Sequence, residues 1–337
     1  MVRRTPFGTL DGRQISLVTL TDGAMSVELL PFGAAVRAIW VPDRDGRLRD
    51  VCLGYDTAEE YKTHDACFGG TIGRCANRIG GAGFVIGGRV CRLTANEGEN
   101  TLHGGAEGFH KQLWDDRCGE NSVTFSLLSP DGQEGFPGNL RVEVTYTLLG
   151  GTLTAEYWAR SDDDTVVNLT GHTYFNLAGH NGGPVGDHRL TVLASAYTPA
   201  GAGNVPTGEI APVEGTALDL RHGEWVKEAL RQPELAASRG YDHNYVLDDG
   251  KRAAELWCPR TGISLEVSTT LPGMQVYTAG FLTPRTGKGG AAYGPGHAVC
   301  LEPQFFPDAV HHENFPSPIL RSGQEYRQSI SYRFDTK

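Results

Sequence analysis

Strict alternation of apolar and polar residues over two adjacent runs is the feature that most constrains this chain. In 140–148, Leu140, Val142, Val144, Tyr146 and Leu148 take every second place, with Arg141, Glu143, Thr145 and Thr147 between them. In 152–160, Leu153, Ala155, Tyr157 and Ala159 alternate with Thr154, Glu156, Trp158 and Arg160. Successive side chains of a strand point to opposite faces, so each run reads as a half-buried antiparallel strand. Gly150-Gly151 between them predicts a hairpin. The pattern returns at Ile263, Leu265 and Val267, and again at Ile330, Tyr332 and Phe334. Further strand-like runs lie at 14–20, 25–31, 34–41, 83–93, 122–129, 188–198, 243–247 and 274–282.

Helical candidates are few and short, the best being 57–63 and 224–231. No βαβ rhythm is present, which disfavours a doubly wound or TIM-type sheet. No period of about 20–50 residues marks a propeller or solenoid. Gly (45) and Pro (18) together approach a fifth of the 337 residues, against about 12% in a typical chain. They are spread along the sequence and imply many turns. The expectation is an all-β fold: one domain over 1–337, a large β-sandwich with few short helices. Gly-rich loops at 98–112, 178–187, 199–217 and 284–297 are expected to line a cleft, since loops on a rigid scaffold carry binding groups.

Charge and cysteine content narrow the partners. With 30 basic and 40 acidic residues the net charge is −10, and no basic run exceeds Arg3-Arg4. Nucleic acid and anionic membranes both require a basic face, so neither is an expected partner. The seven cysteines, Cys52, Cys67, Cys75, Cys91, Cys118, Cys258 and Cys300, are odd in number and contain no C-x-x-C pair. Neither a disulfide framework nor a cysteine zinc site fits them, and reduced thiols in the cytoplasm are expected. Met1 to Leu10 shows no apolar stretch after its arginines, so no signal peptide is expected. No segment approaches the roughly 18 apolar residues of a membrane span. The sequon Asn168-Leu169-Thr170 would go unused in a cytosol.

Phosphate-loop, dinucleotide, serine-hydrolase and H-E-x-x-H signatures are absent. His311-His312-Glu313 is a dense trio, but neighbours on a strand or turn point apart, so no metal is expected there. Polar residues in apolar or Gly-rich surroundings remain: Asn77-Arg78, His103 before Gly104-Gly105, His172 before Tyr174-Phe175, Asp242 in Gly240 to Tyr245, and Glu302 after Ala298 to Leu301. Glu302 stands at the end of an apolar run, where desolvation raises a carboxylate toward the pKa of a general base. Read locally, it serves equally as a structural partner of Arg78. His172 is equally a hydrogen-bonded core histidine, His103 a turn residue, Asp242 a turn cap and Arg78 a strand bridge.

Taken together and in order, these segments resemble the aldose 1-epimerase (galactose mutarotase) family. The resemblance runs from Thr5-Pro6-Phe7-Gly8 to the last strand, Glu325 to Phe334, and is most specific at Gly73 to Ile79, Asn100 to Gly105, Asn168 to Leu177, Gly240 to Leu247 and Leu301 to Ala309. It implies a β-supersandwich fold and interconversion of α and β anomers of a free aldose such as glucose or galactose. It implies Glu302 as the base at the anomeric hydroxyl and His172 as the acid at the ring oxygen. It makes His103, Arg78, Asp242, Asn77 and Gln275 sugar-binding residues. The reaction moves protons only, so no cofactor is required. The expected partner is a small sugar, an aldohexose or pentose, bound by a monomer or homodimer. Phe281 and Trp114 are expected as apolar platforms for the sugar. One departure stands out: where the family commonly has Asn after Pro307-Asp308-Ala309, this chain has Val310 and then His311, beside the expected cleft.

Three other readings compete. A hexose-6-phosphate epimerase needs a cationic pocket, for which Arg74, Arg78 and Lys111 are the available residues. A glycoside hydrolase or lyase would pair Asp242 with Glu302. A non-catalytic sugar-binding module would normally lack the acid or the base.

Overall fold

The structure is a computed structural model that describes residues 1–337 apart from 230, 249 and 251. The alternating runs pair as expected. Leu140–Leu149 lies antiparallel to Thr152–Ser161 with Leu148 opposite Leu153. Gly150 and Gly151 turn between them at φ 58° and 71°, the left-handed conformations that a tight, right-twisting hairpin needs and glycine tolerates. Both belong to a nine-stranded antiparallel sheet. Its order is Asp115–Cys118, Ser122–Ser129, Leu140–Leu149, Thr152–Ser161, Glu325–Thr336, Ile263–Thr269, Arg252–Trp257, Arg189–Val192 and Glu224–Trp225. The C-terminal strand therefore pairs in the middle of the sheet.

A six-stranded sheet runs Tyr174–Phe175, Val299–Gln304, Gly273–Tyr277, Asp242–Val246, Ala196–Thr198 and Ala211–Pro212. A five-stranded meander takes up the N-terminal residues, Val2–Leu10 through Leu48–Asp50. One apolar cluster joins all three sheets. It holds Val142, Val144 and Leu265 of the large sheet, Val18, Leu20 and Val27 of the meander, and Met274, Val276, Val299 and Leu301 of the six-stranded sheet. The six-stranded sheet is thus committed to the core by one face, and the alternate residues, Gln275, Tyr277, Cys300 and Glu302, face the other way.

Several elements differ from the sequence expectation. The run 83–93 is a hairpin of Gly83–Ile86 and Arg89–Arg92, turned by Gly87 and Gly88 at positive φ. The run 188–198 divides between Arg189–Val192 and Ala196–Thr198, which belong to different sheets. The run 274–282 ends as a strand at Tyr277. The first strand, Val2–Leu10, has no alternation because most of its residues face solvent. Helix Ala58–Thr63 begins at Thr57, whose hydroxyl accepts from the Glu60 amide while Glu60 reaches back to the Thr57 amide. The expected helix 224–231 is a two-residue strand followed by Val226–Ala229, and its position 230 lies outside the described residues.

Leu265 is fully buried in the shared cluster, whereas Leu128 is 62% exposed. Leu265→Ala should lower the unfolding free energy by about 2–5 kcal/mol. Leu128→Ala should change it by less than about 0.5 kcal/mol. Urea denaturation followed by tryptophan fluorescence distinguishes them.

Candidate active site

The exposed-facing side of the six-stranded sheet forms the floor of a cleft of about 590 Å³. Antiparallel register sets the floor. Gln275 lies opposite Glu302 and Asn244, while Tyr277 lies opposite Cys300 and Asp242. Residues directly opposite share a face, so two rows of polar side chains cross the sheet. Gln275 Nε2 donates to Asp242 Oδ1 at 2.7 Å. Glu302 is 2% exposed, and its Oε2 has no hydrogen-bond partner among the described residues.

His172 reaches this floor from the side. It follows the short strand Thr170–Gly171, and its backbone exchanges hydrogen bonds with Gly69 and Gly70. Its ring stacks on Tyr174 with centroids 4.9 Å apart and meets His103 edge-on at 5.4 Å. Its Nε2 lies 3.7 Å from Glu302 Oε2, too far for a hydrogen bond and close enough for both to reach one small group between them.

The opposite wall comes from two loops that hold each other. His103 donates its backbone N–H to Asn77 O, and the Asn77 N–H donates to His103 Nδ1 at 3.2 Å. That bond makes Nδ1 an acceptor, so neutral His103 carries its proton on Nε2. Asn77 has φ 62°, a conformation asparagine tolerates. Gly104, at φ 85°, lets the His103 loop press on the Gly73 carbonyl, where a Cβ would stand 2.0 Å away. Arg78 is gripped by Glu97 in a two-pronged pair, Nε to Oε2 at 2.6 Å and Nη2 to Oε1 at 2.7 Å.

Burial governs the electrostatics. It pushes Glu302 well above the usual carboxylate range, Asp242's charge adds to the rise, and Arg78 opposes it. Asp242 is raised by burial against the pull of Arg78 and its bond from Gln275. Burial lowers His172 to about 4 and holds His103 well below its ordinary value, with the charges of His172, His110 and Arg78 adding. The Glu302 carboxyl and the His172 imidazole are therefore shifted in opposite directions, each toward its uncharged form.

All seven residues singled out in the sequence, Asn77, Arg78, His103, His172, Asp242, Gln275 and Glu302, line this one cleft. Other expectations need correction. Arg78 pairs with Glu97 rather than Glu302. Trp114 is 1% exposed and packs edge-on against Phe109 in the core, so it is no sugar platform. Phe281 does line the cleft, 42% exposed. Arg74 is buried away from the cleft, donating to Ser129, Pro130 and Pro137. His311 and His312 do not point apart: the turn Ala309–His311 places them 2.7 and 3.3 Å from the two oxygens of Asp308. With Val310 they line a separate cavity behind the Arg78 segment, which Asp308 braces by accepting from the Gly80 amide.

Sequence reasoning missed Tyr174, Tyr277, Glu97 and His110 in the cleft wall. The two tyrosines were accessible to it, since each stands two residues from a named site residue on an extended segment. Glu97 and His110 lie in loops, where no period gives direction.

A buried imidazole and a buried carboxyl 3.7 Å apart at the base of a polar cleft form a site able to exchange protons with a small polar ligand. The Aldose 1-epimerase family profile matches residues 16–333. Mouse galactose mutarotase is 42% identical over 341 residues, covering 99% of this chain and 98% of its own. Haemophilus influenzae aldose 1-epimerase is 37% identical, covering 99% and 100%. The crystal structure of an aldose epimerase homologue from C. elegans superposes with a TM-score of 0.90 at 31% identity, covering 96% of this chain and 99% of that one. The chain belongs to the aldose 1-epimerase family and is thereby an isomerase that interconverts anomers.

The different settings of the two arginines are separable by mutation. Arg74→Ala removes the donor to the buried Ser129 and Pro137 carbonyls and to the Pro130 carbonyl, and should cost about 2–4 kcal/mol of stability, read by denaturation. Arg78→Ala should leave the melting temperature within a few degrees of the parent and weaken sugar binding, read by calorimetric titration.

Proposed function

We propose that this chain interconverts the α and β anomers of a free aldohexose of the glucose or galactose type, with Glu302 as general base and His172 as general acid. The observation that carries the assignment is the 3.7 Å gap between His172 Nε2 and Glu302 Oε2 at the buried end of the cleft. O1 and O5 of a pyranose are both bonded to C1, so a base serving one and an acid serving the other must stand within a few ångströms of each other.

Glu302 removes the proton from O1 as C1=O1 forms and C1–O5 breaks, and His172 delivers its proton to O5. The free aldehyde rotates about C1–C2. Closure on the other face returns the O5 proton to His172 and the Glu302 proton to O1. The pair therefore alternates between an ion pair and two neutral groups while holding the same proton count. Burial, which drives each group toward its uncharged form, favours the state reached on ring opening. The opposite charges facing each other favour the state that begins the reaction. Asn77, Arg78, His103, Asp242 and Gln275 hold the remaining hydroxyls in this reading. The chemistry is redox-neutral and needs only proton transfer, so no cofactor takes part. All seven cysteines are free thiols, which supports a reducing, cytoplasmic setting.

A phosphosugar is less well served. Of the cations named for it, Arg74 lies outside the cleft, Arg78 is paired with Glu97 and Lys111 donates to the Ala106 carbonyl, and Arg285 in the cleft wall is paired with Asp65.

Polarimetry of freshly dissolved α-D-galactose tests the activity: the rotation should decay faster to an unchanged equilibrium value. Glu302→Gln should lower kcat by at least about a hundredfold while sugar still binds. Near-parental turnover in that variant would remove Glu302 from the base role. The pH profile of kcat should be flat through neutrality. It should fall toward pH 4, as both groups become protonated and no base is left. It should fall again on the alkaline side, once Glu302 loses its proton beside a neutral His172 and no acid is left. A chelator should leave the rate unchanged.

A further inference from the structure

We propose that the floor of the cleft is also an inhibitory site for a borderline-soft divalent ion of the zinc class, bound by His172, Cys300 and Glu302. The proposal arises from a residue the mechanism leaves idle. Cys300 precedes Glu302 by two positions on the strand Val299–Gln304, so both side chains leave the same face. One ligand atom from each of His172, Cys300 and Glu302 lies within 4.8 Å of the others, and all three residues are buried. Imidazole nitrogen, thiolate sulfur and carboxylate oxygen together are the donor set zinc takes, and the set suits magnesium and calcium poorly. A tetrahedral zinc with bonds of about 2.0–2.3 Å holds its donors about 3.3–3.8 Å apart. The His172–Glu302 separation is already 3.7 Å. Glu302 Oε2, the atom nearest the ring, has no hydrogen-bond partner among the described residues. His172 and Glu302 line the cleft and Cys300 lies behind them, packed with Tyr174 and Tyr277, so the fourth position is the one on the cleft side, for water to fill.

Binding exchanges the Cys300 S–H bond for a sulfur–metal bond and displaces the one proton that His172 and Glu302 hold between them, so two protons pass to the buffer. No electron moves. The ion would stand between the acid and the base, where the O1–C1–O5 unit of the sugar belongs in the reading given above. Metal and sugar then exclude each other, and mutarotation is blocked without damage to the fold.

Two measurements test this on the full chain. Cobalt(II) titration reports the site without any activity. The parent should develop a thiolate-to-cobalt absorption band in the near ultraviolet, saturating at one ion per chain and bleached by zinc. Cys300→Ser, or Cys300→Ala should the serine variant fold poorly, should lack the band. Glu302→Gln should keep it with roughly tenfold or more weaker cobalt affinity. Absence of the band in the parent, or its survival in the Cys300 variants, would overturn the site. Because this readout ignores turnover, it stands even if galactose proves not to be a substrate. In the activity assay, zinc chloride in a non-coordinating buffer should raise the apparent KM for galactose, leave kcat unchanged and be reversed by EDTA. Cys300→Ser should keep the zinc-free rate and need roughly tenfold or more zinc for half-inhibition. Equal sensitivity in parent and variant, or inhibition that sugar cannot relieve, would overturn the inhibitory role.

Discussion

The double burial of the strand Val299–Gln304 is the constraint on which the rest of the structure depends. All six of its residues are buried, yet its two faces meet opposite surroundings. Val299 and Leu301 enter the apolar cluster shared by the three sheets, while on the other face Cys300 packs in a second apolar cluster and Glu302 lines the cleft. The same strand is therefore a core element and the site's foundation. A carboxylate held there is shut off from water, and its raised pKa follows first from that burial and then from the charge of Asp242. Pairing with Gly273–Tyr277 then fixes what stands beside it, because one residue of slip would turn Gln275 toward the core and Met274 toward the cleft.

Much of this was legible in the chain. Period two identified the strands with one wet face, such as Leu140–Leu149, since solvent writes alternation into them. It did not identify Val2–Leu10, whose residues are mostly exposed, nor the break at 193–195, where the chain leaves one sheet for another without changing composition. The site residues were recognised as polar groups in apolar or Gly-rich settings and by their family resemblance, and all of them converge. Their partners were not readable. That Arg78 would choose Glu97 over Glu302 depends on how the loop 96–102 folds back, and Arg74 and Trp114 go to the interior although Asn77 and Lys111, three positions away in each case, line the cleft. Local sequence carries burial better than it carries the identity of a contact between distant segments.

The two walls of the cleft are built differently. The sheet side is rigid through register. The loop side depends on polar stitching, in which backbone amides are satisfied by Asn77, His103, Asn96 and Asp308 side chains in place of a ladder. Positive φ at Asn77, His103 and Asp308 shows how sharply these loops turn. Such conformations persist only where surrounding bonds over-determine them, and here the same bonds that relieve the loops also aim Asn77 and His103.

The grip of Glu97 on Arg78 bears on binding entropy. A free arginine side chain surrenders roughly 1.5–2 kcal/mol of rotamer freedom when a ligand fixes it. Two bonds to Glu97, itself tied to Asn100 through its own amide, have already removed that freedom before any sugar arrives. In the proposed reaction the guanidinium meets the sugar as part of the frame. In a reaction that takes up either anomer and releases the other, a contact whose ordering is complete in the empty cleft contributes orientation without favouring either face of C1.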